Sequence, residues 1–139
     1  MLLLDSEALS AVAHGPAARR DRVRALITEM RTRDLPIATV SVVLAEVVRG
    51  RAQDAAVFGS LRRERLLVRD VDSRTAVRAG RLLGASRKSS EHAIDAFIVA
   101  VADLAGGAVV ATVDVDDLEA LAARTKHVTV VSIQPGADE

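Results

Sequence analysis

The chain has 139 residues and a mass of 14.7 kDa, half of its residues are hydrophobic, and it contains no cysteine. That length suits a single domain, 1–139, with enough apolar material to bury a core unaided, and it leaves no room for disulfide frameworks, thiol nucleophiles or thiolate zinc sites. The zero formal charge conceals a division: residues 1–90 carry 17 basic and 10 acidic side chains, residues 91–139 carry 2 and 9, and 17 of the 19 basic residues are arginine. Arginine binds phosphate in a bidentate fork, so the asymmetry suits a phosphate-bearing partner if folding gathers the acids and surrounds them with arginine.

The opening MLLL reads as a short buried strand. It is too brief for a signal peptide or a membrane span, so a soluble, cytoplasmic protein is expected. Asp5-Ser6 is an N-cap signal for a helix to about His14, which Gly15-Pro16 ends. Residues 18–33 place Val23, Leu26, Ile27 and Met30 at helical spacing with Arg and Asp opposite, the pattern of an amphipathic surface helix. A second strand is predicted over 35–39, with Pro36 at its start, and Ser41 is predicted to cap a helix that stops at Gly50.

A helix over 52–63, a short edge strand over 65–71 and a helix over 73–86 follow, and Gly80 and Gly84 of the last suggest close packing. A polar loop at 87–91 leads into AIDAFIVAVADLA, 93–105, a nearly all-apolar helix that must be central and that Gly106-Gly107 ends. A buried strand over 108–114, a short helix DDLEALAAR and a last strand over 127–133 complete the chain. Strands separated by helices imply an α/β fold with a parallel sheet covered on both faces, whose functional crevice lies off the carboxyl ends of the strands.

Asp21, Asp34, Asp54, Glu64, Asp70 and Asp72 stand among arginines and read as solvated. Asp5, Glu46, Asp95 and Asp114 instead sit directly in apolar sequence, where an ionised carboxylate costs several kcal/mol unless compensated. Asp95 shares a helix face with Ile98, Val99 and Ala102, so its carboxylate points toward the sheet. Asp5 and Asp114 each follow a buried strand and emerge at the same end of a parallel sheet, and Glu46 can reach the same rim. Two carboxylates about 4 Å apart repel by roughly 4 kcal/mol at an effective dielectric near 20. Arginine or protonation could relieve this, but a hard divalent cation does so best. All-oxygen ligands, without cysteine or a histidine pair at ligand spacing, select Mg²⁺ or Mn²⁺ over zinc. Such an ion activates water for in-line displacement at phosphorus, which is phosphodiester hydrolysis.

Other chemistries find little support. The chain has no G-x-S-x-G elbow, no G-x-x-x-x-G-K-[ST] and no G-x-G-x-x-G. Taken alone, Asp114 to Asp117 could equally be an N-capping cluster, and Asp5 a plain N-cap. His14, His92 and His127 share no metal-ligand spacing, although His92, three residues before Asp95, is placed to contact a substrate. With two Phe and no Tyr or Trp, a base-stacking platform is absent, so a phosphodiester substrate would be held through its phosphates. Arg49 and Arg51, near the end of the Glu46 helix, are candidates, as are Arg19, Arg20, Arg87 and Lys88.

The order of these motifs resembles that of PIN-domain ribonucleases, specifically the VapC-like toxins of bacterial toxin–antitoxin pairs. LLLDSEAL is similar to that family's opening strand-Asp-Ser/Thr motif, SVVLAEVVRG to its Ser/Thr-x4-Glu helix, DAFIVAVA to its central Asp helix, and TVDVDDLEAL to its Thr/Ser-x-Asp turn with a further Asp. The resemblance runs over essentially the entire chain and implies a PIN-like three-layer α/β/α sandwich with a central, mainly parallel sheet. It further implies a magnesium-dependent endoribonuclease in which Asp5, Glu46, Asp95 and Asp114 bind metal and Asp117 is an auxiliary acid. Ser6 and Thr112 would orient carboxylates, and Asp116, adjacent to Asp117, is a second candidate for the auxiliary place. An RNA substrate, a homodimer and a small antitoxin that occludes the site are the implied partners. Two other readings are a catalytically silent PIN-like interaction module, its acids paired by a partner's arginines, and an aspartate-dependent phosphotransfer enzyme, suggested by DVDD after a strand.

Overall fold

The computed structural model describes residues 1–136. Strand β1, Leu2–Leu4, is three leucines with no exposed surface, which places it at the centre of the sheet. It pairs on one side with β2, Ile37–Val40, and on the other with β4, Ala108–Thr112. The exposed β3, Leu67–Arg69, and the half-buried β5, Val128–Ser132, form the two edges. The order β3-β2-β1-β4-β5 is parallel throughout. It reverses direction between β1 and β4, the position where doubly wound sheets open a crevice at their carboxyl ends.

Helices cover both faces. The α1 helix, Ser6–His14, packs on β1 and β4 and carries α2, Ala17–Thr32, and α4, Asp54–Arg63. The apolar α6, Ala93–Leu104, packs on β2, β4 and β5 between α5, Ser73–Ala85, and α7, Val115–Ala122. A short α3, Ser41–Val47, bridges α1 and α6. This is the α/β/α arrangement expected. Because each helix runs antiparallel to its strands, the N-termini of α1, α3, α6 and α7 gather where β1, β2 and β4 end.

The chain departs from its sequence pattern in several places. The helix predicted to reach Gly50 stops at Val47, because the buried Asp54 carboxylate accepts the backbone N–H groups of Arg49, Gly50 and Arg51 and draws them out of the helix. Asp54 is therefore a structural clamp and not a solvated charge. Asp72 likewise caps α5 through the Thr75 amide. Ser41 is the first helical residue of α3, not its cap; the N-cap is Val40, without a side-chain bond. Gly80 and Gly84 lie exposed, with no neighbour within 4 Å of where a Cβ would stand, so their helix makes no close approach there.

Candidate active site

The strand register brings the two strand-end acids together. Leu4 pairs with Ala111, so Asp5 follows β1 beside Thr112, and the Asp5 amide donates to the Ala111 carbonyl at 3.3 Å. The Asp5 side chain caps α1 by accepting the Ala8 amide at 2.8 Å and also accepts from the fully buried Thr112 hydroxyl. Those bonds favour its charged form, but burial outweighs them and, with the charge of Asp95, pushes the Asp5 carboxyl up from 3.8 to about 6. The N-cap role considered from sequence is thus real. It accounts for one oxygen of a carboxylate that also faces other acids.

Asp95 occupies the first turn of α6 and is half-buried. Its carboxyl is raised first by burial and then by the negative charges of Asp117, Glu46 and Asp114, with His92 opposing. Asp114 stands at the N-terminus of α7, yet its side chain makes no capping bond. Its amide donates to Thr112 Oγ1 at 3.0 Å, which frees the carboxylate to face Asp117, within hydrogen-bond reach. A purely capping role for Asp114 does not describe this geometry. Glu46, exposed on α3, also acts on Asp95. Asp116 is exposed, whereas Asp117 is half-buried.

Two further residues belong to the cluster. Ligand atoms of His92, Asp95 and Asp117 lie within 4.8 Å of one another, a compactness that the spacing of histidines along the chain does not reveal. Lys88, expected from sequence as a candidate phosphate contact, instead has its ammonium 3.1 Å from Asp117 Oδ1 and holds that carboxyl below its ordinary range. The arginines expected to ring the acids are placed otherwise. The Arg49 guanidinium donates to the carbonyls of Ala45 and Val48 at the end of α3, and Arg51 is exposed with its amide on Asp54. Arg49 nevertheless lines, with Glu46, Ser6, Ser10 and His14, a polar cavity of about 250 Å³ beside the cluster.

Asp5 feels the charge of Asp95, and Asp95 those of Asp117, Glu46 and Asp114, a repulsion that a hard cation relieves; among the described residues the compact group is His92, Asp95 and Asp117, whose carboxylate oxygens and imidazole are donors that Mg²⁺ and Mn²⁺ accept, while Asp5, Glu46 and Asp114 stand outside it. No described helix is long and apolar enough to cross a membrane.

The profile of the PIN domain matches residues 2–124. Nine chains of solved structures are similar in fold. One is the crystal structure of VapBC2 from Rickettsia felis bound to a DNA fragment from their promoter, with a TM-score of 0.70 at 16% identity over 94% of this chain and 97% of that one. No curated protein matches.

Proposed function

Because the chain belongs to the PIN domain family, we propose that it is a metal-dependent endoribonuclease, the toxin of a toxin–antitoxin pair, acting in the cytoplasm as a homodimer. The observation that carries this reading is the convergence of Asp5, Glu46, Asp95, Asp114 and Asp117 at the carboxyl ends of β1 and β4, with each acid acting electrostatically on at least one other. A purely fold-stabilising role does not account for so many gathered carboxylates, since their mutual repulsion opposes folding.

In this reading Asp5, Asp95, Asp114 and Glu46 hold Mg²⁺ or Mn²⁺, and Asp117 is the auxiliary acid in preference to the exposed Asp116. The bound ion supplies a water of lowered pKa and a counter-charge for the transferring phosphoryl group. The chain itself does the positioning. Thr112 fixes Asp5 through its proton and Asp114 through its oxygen, so two ligands on separate strands share one rigid hydroxyl. Ser6, in the first turn of α1, and Arg49 line the cavity that continues from Glu46 and offer an RNA strand polar contacts. His92 stands at the mouth, within reach of a phosphate or a leaving oxygen. Arg51 is a more distant phosphate contact.

A small antitoxin partner follows by analogy with the VapBC2 pair. Apolar side chains left exposed, Phe58 on α4 and Leu67 and Val68 on β3, are surface that such a partner would cover. The test is to map RNA 5′ ends after brief expression of the wild-type chain beside Asp95→Asn. New ends at discrete positions should appear with the wild type and be missing with the variant; identical maps would sink the assignment.

A further inference from the structure

The Asp117 carboxylate already has nitrogen on both sides. Lys88 Nζ lies 3.1 Å from Oδ1, and His92 Nδ1 lies 3.9 Å from Oδ2. The Lys88 side chain is 16% exposed and that of Asp117 37%, so the ammonium is withdrawn from water while the carboxylate keeps one open side. Its position is also fixed by the backbone. Helix α5 ends in a Schellman motif in which the Lys88 amide donates to the Leu83 carbonyl at 2.9 Å and the Arg87 amide to Gly84 at 3.2 Å. Arg87 takes a left-handed φ of 54° to close that motif, a conformation that costs energy for a residue with a Cβ. The turn thereby sends Lys88 back toward the acids, 29 residues before its partner.

We propose that Lys88 is a built-in cation of the acidic site: its ammonium holds the Asp117 side of the cluster, where a second divalent ion would otherwise stand, and limits the site to one such ion. The inference rests on the reading of the acids as metal-binding and specifies how many ions they take. Two-metal sites place their ions about 3.5–4 Å apart and share carboxylates between them. A second ion on Asp117 would therefore stand against an ammonium that already occupies Oδ1, and the two positive charges would exclude each other. Lys88 is accordingly a positioning residue: it neutralises Asp117 without consuming a metal and keeps the single ion on the Asp5, Asp95 and Asp114 side.

The test is calorimetric titration of MnCl₂ into the full chain, with far-UV circular dichroism to confirm folding. Wild type should bind one Mn²⁺ per chain, and Asp95→Asn should lose it. Lys88→Met and Lys88→Gln, read in parallel so that a folding defect in one leaves the other to decide, should bind two. Lys88→Arg, which keeps the charge, should return to one. A stoichiometry of one in the neutral variants, or of two in the wild type, overturns the role of Lys88 and leaves the metal site standing. No Asp95-dependent binding in any protein removes the metal site, and the role of Lys88 with it.

Discussion

Thr112 ties the end of β4 to the acid that follows it, its Oγ1 accepting the Asp114 backbone N–H at 3.0 Å. The same hydroxyl donates to Asp5, so a fully buried side chain satisfies polar groups from two strands at once. Thr112→Val keeps the shape and removes both bonds, leaving the Asp114 amide and the Asp5 carboxyl each short of a partner. The expected loss is about 1–3 kcal/mol of stability, read as a lower urea midpoint at unchanged slope. Thr112→Ser should retain most of it. A Thr112→Val midpoint equal to wild type would mean that this hydroxyl organises nothing.

The raised Asp5 carboxyl sets the pH dependence of the metal-free protein. A group that binds its proton more tightly folded than unfolded gives stability that is complete below its unfolded value and is lost as pH rises through the folded one. For Asp5 that window runs from 3.8 to about 6, a span equivalent to about 3 kcal/mol. The raised Asp95 acts in the same sense. Asp117, held low by Lys88, acts oppositely, its contribution lost as pH falls below the ordinary carboxylate range. Thermal melts in EDTA should therefore show Tm falling between about pH 4 and 6, and Asp5→Asn should flatten the slope. A Tm that climbs across that interval would contradict the burial of this acid.

Gly107 carries a different constraint. Its φ is +122°, and a Cβ there would stand 2.7 Å from both the Cβ and the carbonyl oxygen of His127. Gly107→Ala thus combines a disfavoured backbone conformation with a collision against β5's approach, and should destabilise by roughly 2–4 kcal/mol. Arg65, by contrast, takes a left-handed φ of 49° at the end of α4 where glycine is the usual terminator. Arg65→Gly should relieve a left-handed conformation that costs roughly 1–2 kcal/mol, offset in part by the greater backbone freedom of glycine in the unfolded chain, and so raise stability. Differential scanning calorimetry of the two variants should move Tm in opposite directions, and movement in the same direction would refute the role given to the backbone at these two positions.

Those helix ends explain which parts of the molecule the sequence conceals. Asp5, Asp95 and Asp114 stand out because each interrupts an apolar run, and a charge in such a run is visible without coordinates. The parallel order of strands follows from the alternation of elements, and the sheet obeys it. Asp34, Arg65 and Arg87, however, close Schellman motifs without the glycine that would mark them, so the turn that aims Lys88 is silent in the sequence. Asp54 is hidden for a related reason: among arginines it looks solvated, and only the fold shows it gathering three amides. His92 joins Asp95 through a single turn before α6, but its nearness to Asp117 depends on how α7 docks. Long-range pairings of this sort are set by tertiary packing, which no local spacing encodes.

If the gathered acids bind a divalent ion and cleave RNA with it, removing either the ion or one acid must abolish the reaction. The decisive measurement is the cleavage of a defined single-stranded RNA by purified chain, titrated with MgCl₂ and compared with EDTA, for wild type and Asp95→Asn. Magnesium-dependent cleavage is expected of the wild type, and a loss of at least about 100-fold of the variant, the scale on which removal of a single charge-stabilising group acts. Equal cleavage by the two proteins, or cleavage by the wild type undiminished in EDTA, would contradict a metal-dependent nuclease built on these acids.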